Sequence, residues 1–369
     1  MTPEFWQGKK VFVTGHTGFK GGWLCLLLRQ LGSTVHGYSL APPTVPNLFT
    51  LAHVGDCLDH QIGDVRDLLI LTAAIKAFKP DIVLHLAAQA LLRPSYETPL
   101  DTYSTNVMGT VNVLEAARQT NVPVTLIITS DKCYENRETI WPYRETDPMG
   151  GYDPYSSSKG CAELVVSAYG RSYFTDGHKT LASVRAGNVI GGGDWARDRL
   201  MTDVIYALMN NKRPIIRRPK SIRPWQHVLE PLSGYLRAAE YMWQFKPRSP
   251  QAWNFGPNAE GEAPVAEVAN DVCRLWGQSS GIEIIEDPNA VHEAGLLQLD
   301  STKARHELQW RPRWPLPKAL AMLVEWFKKY EAKADMNAVT LEQIAAYRKE
   351  GEPTVSPQTQ TLRAAGKRA

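Results

Sequence analysis

Along the first half of the chain, short apolar runs alternate with longer stretches whose apolar residues recur every three to four positions. "KVFVTG" gives way to "GWLCLLLRQLG", "TVHGYSL" and a third strand lead to "DLLILTAAIKAFKP", "DIVLHLAA" precedes "NVMGTVNVLEAARQTNV", and "VTLIITS" follows. Strand-length apolar runs without polar alternation fit a sheet buried on both faces, and the intervening helices supply its cover. The alternation predicts βαβ units and a doubly wound α/β fold with a parallel sheet.

A helix from Asp153 takes in "ELVVSAYGRSYF", and "TLASVRAGNVIG" reads as a buried strand running into a glycine-rich loop. Beyond Gly193 Pro and Arg become frequent. There "PVAEVANDVCRLWG" sets Val265, Val268, Ala269, Val272, Leu275 and Trp276 on one helical face. The expected organisation is a Rossmann-type domain over 1–190, a smaller α/β lobe over 191–350, with the chain able to cross back between them, and a polar tail over 351–369. Thr340 with Gln343 reads as a capping box for a late helix through Arg348.

Composition narrows the function classes. The 369 residues are 43% hydrophobic and 21% charged, enough to bury a large core. A net charge of +3 is too small for the broad basic field of a nucleic-acid binder, although "KRPIIRRPKSIRP" could hold a phosphorylated small molecule. No apolar run approaches membrane-spanning length and the N-terminus lacks an export signal, so a cytoplasmic protein is expected. Cys25, Cys57, Cys133, Cys161 and Cys273 are widely spaced without CxxC pairs, which fits reduced thiols and no structural metal.

In "VFVTGHTGFKGG", Gly15, Gly18 and Gly21 stand between a predicted strand and a helix, where a backbone can approach a pyrophosphate at a helix N-terminus. Ser39 occupies the place, at the end of the second strand, of the acidic residue that reads the adenosine ribose of NAD. With neither an acid nor an arginine there, the choice between NAD and NADP stays open. Asp64, after the third strand, either meets the adenine or caps the following helix. In "DPYSSSKG", Asp153 and Pro154 read as N-cap and first helical residue, setting Tyr155 and Lys159 on one face. A phenol needs a neighbouring cation to act as a base near neutrality.

"TGHTGFKG", "HLAAQ", "NVMGTVNVLEAA", "TSDKCY" and "YSSSK" together resemble the extended short-chain dehydrogenase/reductase family, and the resemblance covers residues 8 to about 330. It implies NAD as cofactor, contacted by Gly15, Thr17, Gly18, Phe19, Lys20, Gly21, Ser39, Asp64, Val65, Leu86, Ala87, Ala88, Gln89, Asn106, Tyr155 and Lys159. It makes Tyr155 and Lys159 catalytic, with Ser130 on the same oxygen. Nucleotide-sugar 4,6-dehydratases of this family carry Thr-Asp-Glu where this chain has Ser130, Asp131 and Lys132; the lysine, with "GHTGFKGGWL" and "GYDPYSSSKG", is similar to the branch acting on CDP-glucose. Asp131 is the expected acid for water loss, and Lys132 is either the base at carbon 5 or a charged stabiliser of the enolate. The expected product, CDP-4-keto-6-deoxy-D-glucose, serves deoxysugar and surface-polysaccharide (O-antigen, lipopolysaccharide) synthesis.

The same resemblance implies substrate contacts from Gln89, Arg93, Ser95, Ser130, Asn188, Asp194, Trp195, Arg199, Arg223, Asn254, His292 and Glu293. Asp198 and Arg199 could equally form a solvated surface pair, and Asn254, His292 and Glu293 could equally serve capping or surface roles. His85 reads as a satisfied core histidine, and Trp141, Trp225 and Trp310 as packing residues. A 4-epimerase, or a dinucleotide-sensing protein without catalysis, are the competing readings; Asp131 and Lys132 oppose the first, Tyr155 with Lys159 the second. The helices from Thr102 to Arg118 and from Tyr155 to Phe174 are the expected pairing surfaces of a homodimer or a tetramer of dimers.

Overall fold

The computed structural model describes residues 1–258, 261–285 and 294–351. Strands β1 (Lys10–Thr14), β2 (Thr34–Ser39), β3 (Asp59–Ile62), β4 (Ile82–His85), β5 (Val124–Ile128), β6 (Thr180–Arg185) and β7 (Gln251–Asn254) form one parallel sheet. Its order is β7-β6-β5-β4-β1-β2-β3, with Val11 of β1 beside Val35 of β2 and Ile82 of β4. The chain reverses its direction of growth across β1 and β4, so the carboxyl ends of these strands open onto a crevice, the place where open α/β sheets take ligands.

The central strands are covered by helices on both faces: β4, β5 and β6 are buried along their whole length. On one face Phe12, Val83 and Ile127 pack against helices α2 (Leu68–Phe78), α3 (Gly109–Gln119) and α4 (Pro154–Tyr173). On the other, Val11, Val13, Leu84, Leu126 and Val184 meet α1 (Phe19–Gln30) and α6 (Leu229–Phe245). That second core runs without a break into the lobe formed by α5 (Leu200–Met209), α7 (Val265–Trp276), α8 (Leu316–Glu331) and α9 (Met336–Lys349). Residues from beyond 190 thus build part of the nucleotide-binding layer: α6 packs on β5 and β6, and β7 extends the sheet beside β6.

Three local expectations are corrected. The last helix starts at Met336, where the Asp335 side chain accepts from the amides of Asn337 and Ala338. Thr340 is buried one turn inside it, donating to the Met336 carbonyl and accepting from Trp326, while Gln343 donates to Met322. These two make tertiary bonds, not a capping box, because an acidic cap stands one turn upstream. In α7 the buried face closes on Cys273, leaving Leu275 exposed. Trp225 and Trp310 are packed, but Trp141 is 73% exposed, on the loop between β5 and α4. All five cysteines are free thiols. Among the described residues no helix is long and apolar enough to cross a membrane.

Candidate active site

The turn after β1 is shaped by its glycines. Gly15 has φ +80°, and a Cβ there would come to 2.7 Å from the Ala87 nitrogen; one at Gly21 would overlap the Gly15 carbonyl. Helix α1 opens on Gly18, which has no side chain to cap it. Backbone and helix terminus therefore fit a dinucleotide pyrophosphate. Thr17 donates to the Leu40 carbonyl and so accepts from Ser39 at 2.9 Å, leaving a neutral hydroxyl pair at the end of β2.

Around the turn, the expected cofactor residues divide by what their side chains do. The amides of Leu86 and Ala87 bond Thr14, joining β4 to β1, and Ala88 follows half-buried. Val65 is in the core under Gly109. Asp64 accepts from the amide and guanidinium of Arg66, which hold its carboxyl below the usual range; Asp67, not Asp64, caps α2. Asn106 lies in a single π-turn, Ser104–Met108, and ties the Gln89 backbone to Ser158 of α4. His85 is satisfied between Thr14 and Thr110 and burial pushes it down to about 3, so it is a neutral core histidine.

The candidate catalytic groups come from two elements. At the end of β5 a short turn presents Ser130, whose Oγ donates to Asp131 Oδ1 at 2.9 Å and accepts the Lys132 amide. Asp153 caps α4 through Ser156, and Pro154 opens the helix, so Tyr155 and Lys159 project one turn apart into the same buried space. Burial drives the Tyr155 phenol up to about 12, with Asp131 adding to the rise; the bond to Ser130 and the Arg199 cation oppose it. Burial also brings the Lys159 ammonium down to about 8, against the pull of Cys133 and Glu163. Lys20 is likewise lowered to about 8, by burial first and then by Arg199 and Lys159, while Asp131 and Asp194 resist. Phe19, beside it, packs near Gly191. Tyr155 thus feels Asp131 and Arg199, and Lys20 feels Arg199, Lys159, Asp131 and Asp194; Lys132 is half-buried.

Sequence reading found the Tyr/Lys pair but not the cation acting on Tyr155, because Arg199 reaches it only through the folding of the loop after β6. Arg199 pairs with Asp194 at 2.7 Å, whereas Asp198 pairs with Arg93 at 3.4 Å across the cleft, so the anticipated Asp198–Arg199 pair does not form. Asn188 sits in this loop at φ +47°, an uncommon conformation for a non-glycine residue.

Other expected substrate contacts are engaged within the chain itself. Ser95 is fully buried and donates to Leu92. The Gln89 amide donates to Leu91 and Thr102. Asn254 is fully buried, accepting from Tyr134 at 2.8 Å and donating to Tyr143. Trp195 packs edge-on to Phe327 and Tyr330 of α8. The buried guanidinium of Arg223 bonds the carbonyls of Ile222, Gly295 and Ala294. His292 and Glu293 lie outside the described residues. Behind the reacting turn runs a network that the sequence did not disclose: Glu163 takes bonds from Thr129, Ser183 and Arg185, and Arg185 reaches on to Tyr134. Removing one partner of such a buried pair strands the other charge.

The chain matches the GDP-mannose 4,6 dehydratase family over residues 12–323. It is 51% identical, over 93% of its length and 97% of the relative's, to CDP-glucose 4,6-dehydratase of Salmonella typhimurium. It is 28% identical, over 85% and 92%, to dTDP-glucose 4,6-dehydratase of Xanthomonas campestris pv. campestris. In fold it resembles dTDP-glucose 4,6-dehydratase of Bacillus anthracis in complex with NAD (TM-score 0.74, 20% identity, 89% and 100% covered). A UDP-glucose 4-epimerase of Stenotrophomonas maltophila with bound NAD is similar too (TM-score 0.78, 20% identity, 88% and 100% covered). With a family match over residues 12–323 and a relative 51% identical along nearly the whole chain, this protein belongs to the GDP-mannose 4,6 dehydratase family, the nucleotide-sugar dehydratases of the extended short-chain dehydrogenase/reductase class.

Proposed function

We propose that the protein converts CDP-D-glucose to CDP-4-keto-6-deoxy-D-glucose by an NAD-dependent dehydration. The observation that carries this reading is the 51% identity, along nearly the whole of both chains, to a CDP-glucose 4,6-dehydratase. The burial of Ser130, Asp131, Tyr155 and Lys159, with Tyr155 interacting with Ser130 and Asp131, supports it.

The glycine turn and α1 would hold the cofactor's pyrophosphate, Ser39 and Thr17 would serve its ribose, and Lys159 and Tyr155 would act with its nicotinamide. Bound NAD supplies a hydride acceptor at carbon 4 of the sugar and later a donor at carbon 6, and its positive ring favours the phenolate of Tyr155. Tyr155 takes the proton of the 4-hydroxyl while Ser130 hydrogen-bonds the same oxygen. The resulting ketone acidifies the carbon 5 hydrogen. Lys132 stands at the expected base position, either removing that proton or stabilising the enolate as a cation. Asp131 gives a proton to the departing 6-hydroxyl. Arg199 pairs with Asp194 and Arg93 with Asp198, and in this reading these groups contact the nucleotide sugar.

The product class belongs to deoxysugar and surface-polysaccharide synthesis, and the protein works in the cytoplasm as a homo-oligomer built through α3 and α4. Incubating the protein with NAD and, separately, CDP-glucose, dTDP-glucose, UDP-glucose and GDP-mannose tests the assignment by mass spectrometry. Loss of one water from CDP-glucose alone is expected. Water loss from another nucleotide sugar alone reassigns the base, and inversion at carbon 4 without mass change makes the protein an epimerase.

A further inference from the structure

Gly187 lies in the loop after β6, and its φ is outside the left-handed region, so backbone conformation does not require a glycine there. Space does. A Cβ on Gly187 would overlap Oδ2 and Cγ of Asp131 and stand 2.7 Å from Oδ1; its three nearest atoms all belong to that one side chain. On the other side the backbone is anchored: the Gly187 carbonyl accepts from Gln226, which also donates to Phe255, and the neighbouring Asn188 carbonyl accepts from the Gln226 amide. The carboxylate is held more lightly. Among the described residues Oδ1 takes one bond, from Ser130, and buried Oδ2 takes none. Any side chain at 187 would therefore move the carboxyl group rather than the loop.

From this geometry we infer that Gly187 is a positioning residue for the water-loss step, keeping open the volume in which the Asp131 carboxyl faces the 6-hydroxyl. The inference rests on the dehydratase reading above. In that step a base takes the proton of carbon 5, the electron pair of that bond becomes the double bond between carbons 5 and 6, and the bond from carbon 6 to oxygen breaks. The proton from Asp131 turns the departing hydroxyl into water. Oxidation at carbon 4 uses Tyr155, Lys159 and Ser130, and Asp131 touches it only through its field at Tyr155 and its bond from Ser130, so displacing the carboxyl falls hardest on the water-loss half of the reaction.

The test compares wild type, G187A, D131A and the double variant D131A/G187A, each with NAD and CDP-glucose, in steady state and in a single turnover. Water loss by G187A is expected to fall on the order of 10²-fold, the scale of a misplacement by about an ångström. Reduced nicotinamide, seen by its near-ultraviolet absorbance, accumulates in the same variant, and its melting temperature stays at the wild-type value. Adding G187A to D131A changes nothing further, since no carboxyl is left to displace. Wild-type water loss in G187A overturns the inference, as does an equal additional loss in the double variant. If G187A does not fold, recovery of folding in D131A/G187A upholds the steric account and its failure to recover refutes it. If wild type removes no water from CDP-glucose, the dehydratase reading falls by itself. The crystal structure of G187A then decides the point: a carboxylate unmoved from its wild-type rotamer is a refutation.

Discussion

Tyr155 is placed where opposing effects meet. Burial drives its phenol up to about 12, and the groups that pull it back are the Ser130 hydroxyl and the Arg199 cation. In the proposed mechanism only the phenolate accepts the substrate proton, so the rate should climb with pH as Tyr155 ionises. Tyr155→Phe should lower kcat on the order of 10²- to 10⁴-fold while the variant still folds and binds NAD. Arg199→Met removes a cation that favours the phenolate, so the acidic limb of the kcat profile should move to higher pH. A limb that stays in place in Arg199→Met would show that Arg199 does not tune the phenol. The spacing of Tyr155 and Lys159 was legible in one dimension because a helical turn fixes it. Arg199 was named as a substrate contact, but its action on Tyr155 was not legible, nor were Gly187 and the Glu163–Arg185 pair, since each acts on a residue brought near only by the folded chain. Ser95, Gln89 and Asn254 show the converse. Each is a polar residue in a segment that resembles a substrate-contacting one, yet each gives its hydrogen bonds to neighbouring chain, a choice that residue type does not reveal.

At the level of elements, what could be read was whatever is buried on both sides. The segments that became β1, β4, β5 and β6 are rich in apolar residues without strict alternation, as strands buried on both faces are. The edge strands carry no such mark: β3 is "DHQI" and largely exposed, and β7 is "QAWN", recruited by its place beside β6. The start of α9 was misplaced by a turn for a similar reason, since Thr340 is polar but buried against Trp326. How α9 is fastened gives an element-scale prediction. Glu230, on α6, is almost wholly buried and accepts from the amides of Arg313 and Trp314 and from the Tyr347 hydroxyl of α9. Burial outweighs these bonds and raises its carboxyl to about 7. The folded protein keeps this proton where the unfolded chain, near the ordinary glutamate value of about 4.3, has lost it. The stability it contributes is thus fully present below about 4.3 and lost as pH rises through about 7. Glu230→Gln keeps an acceptor and cannot ionise. In urea melts across that window, wild type should lose on the order of 3 kcal/mol relative to the variant. Parallel curves would mean that Glu230 does not titrate there.

For the whole molecule, the two halves share one core, so the cleft between the sheet's carboxyl edge and the lobe is a fixed feature of the fold. Its outer surface is less complete. Helices α3 and α4 pack side by side, and their outer faces leave apolar groups in solvent: Leu164 is 61% exposed and Tyr173 50%, with Met108, just before α3, at 53%. On α4, Cys161, Leu164, Val165 and Ala168 follow one another at helical spacing, a stripe of small and apolar groups none of which is fully buried. Most oligomers of identical chains are closed and symmetric, and a two-fold axis between paired α3–α4 faces would cover the stripe with its own copy. Each substitution then occurs twice in the interface. Leu164→Arg should bring like charges together near the axis and reduce the mass found by light scattering to that of one chain. Tyr206→Arg, at a similarly exposed site on α5, should leave the mass unchanged. A wild-type protein that is already monomeric at micromolar concentration, or a Leu164→Arg variant that keeps its full mass, would remove α3 and α4 as the pairing surface. The catalytic groups of α4 face inward at Tyr155 and Lys159, so a monomeric variant that keeps its rate would also show that pairing is not needed to hold them in place.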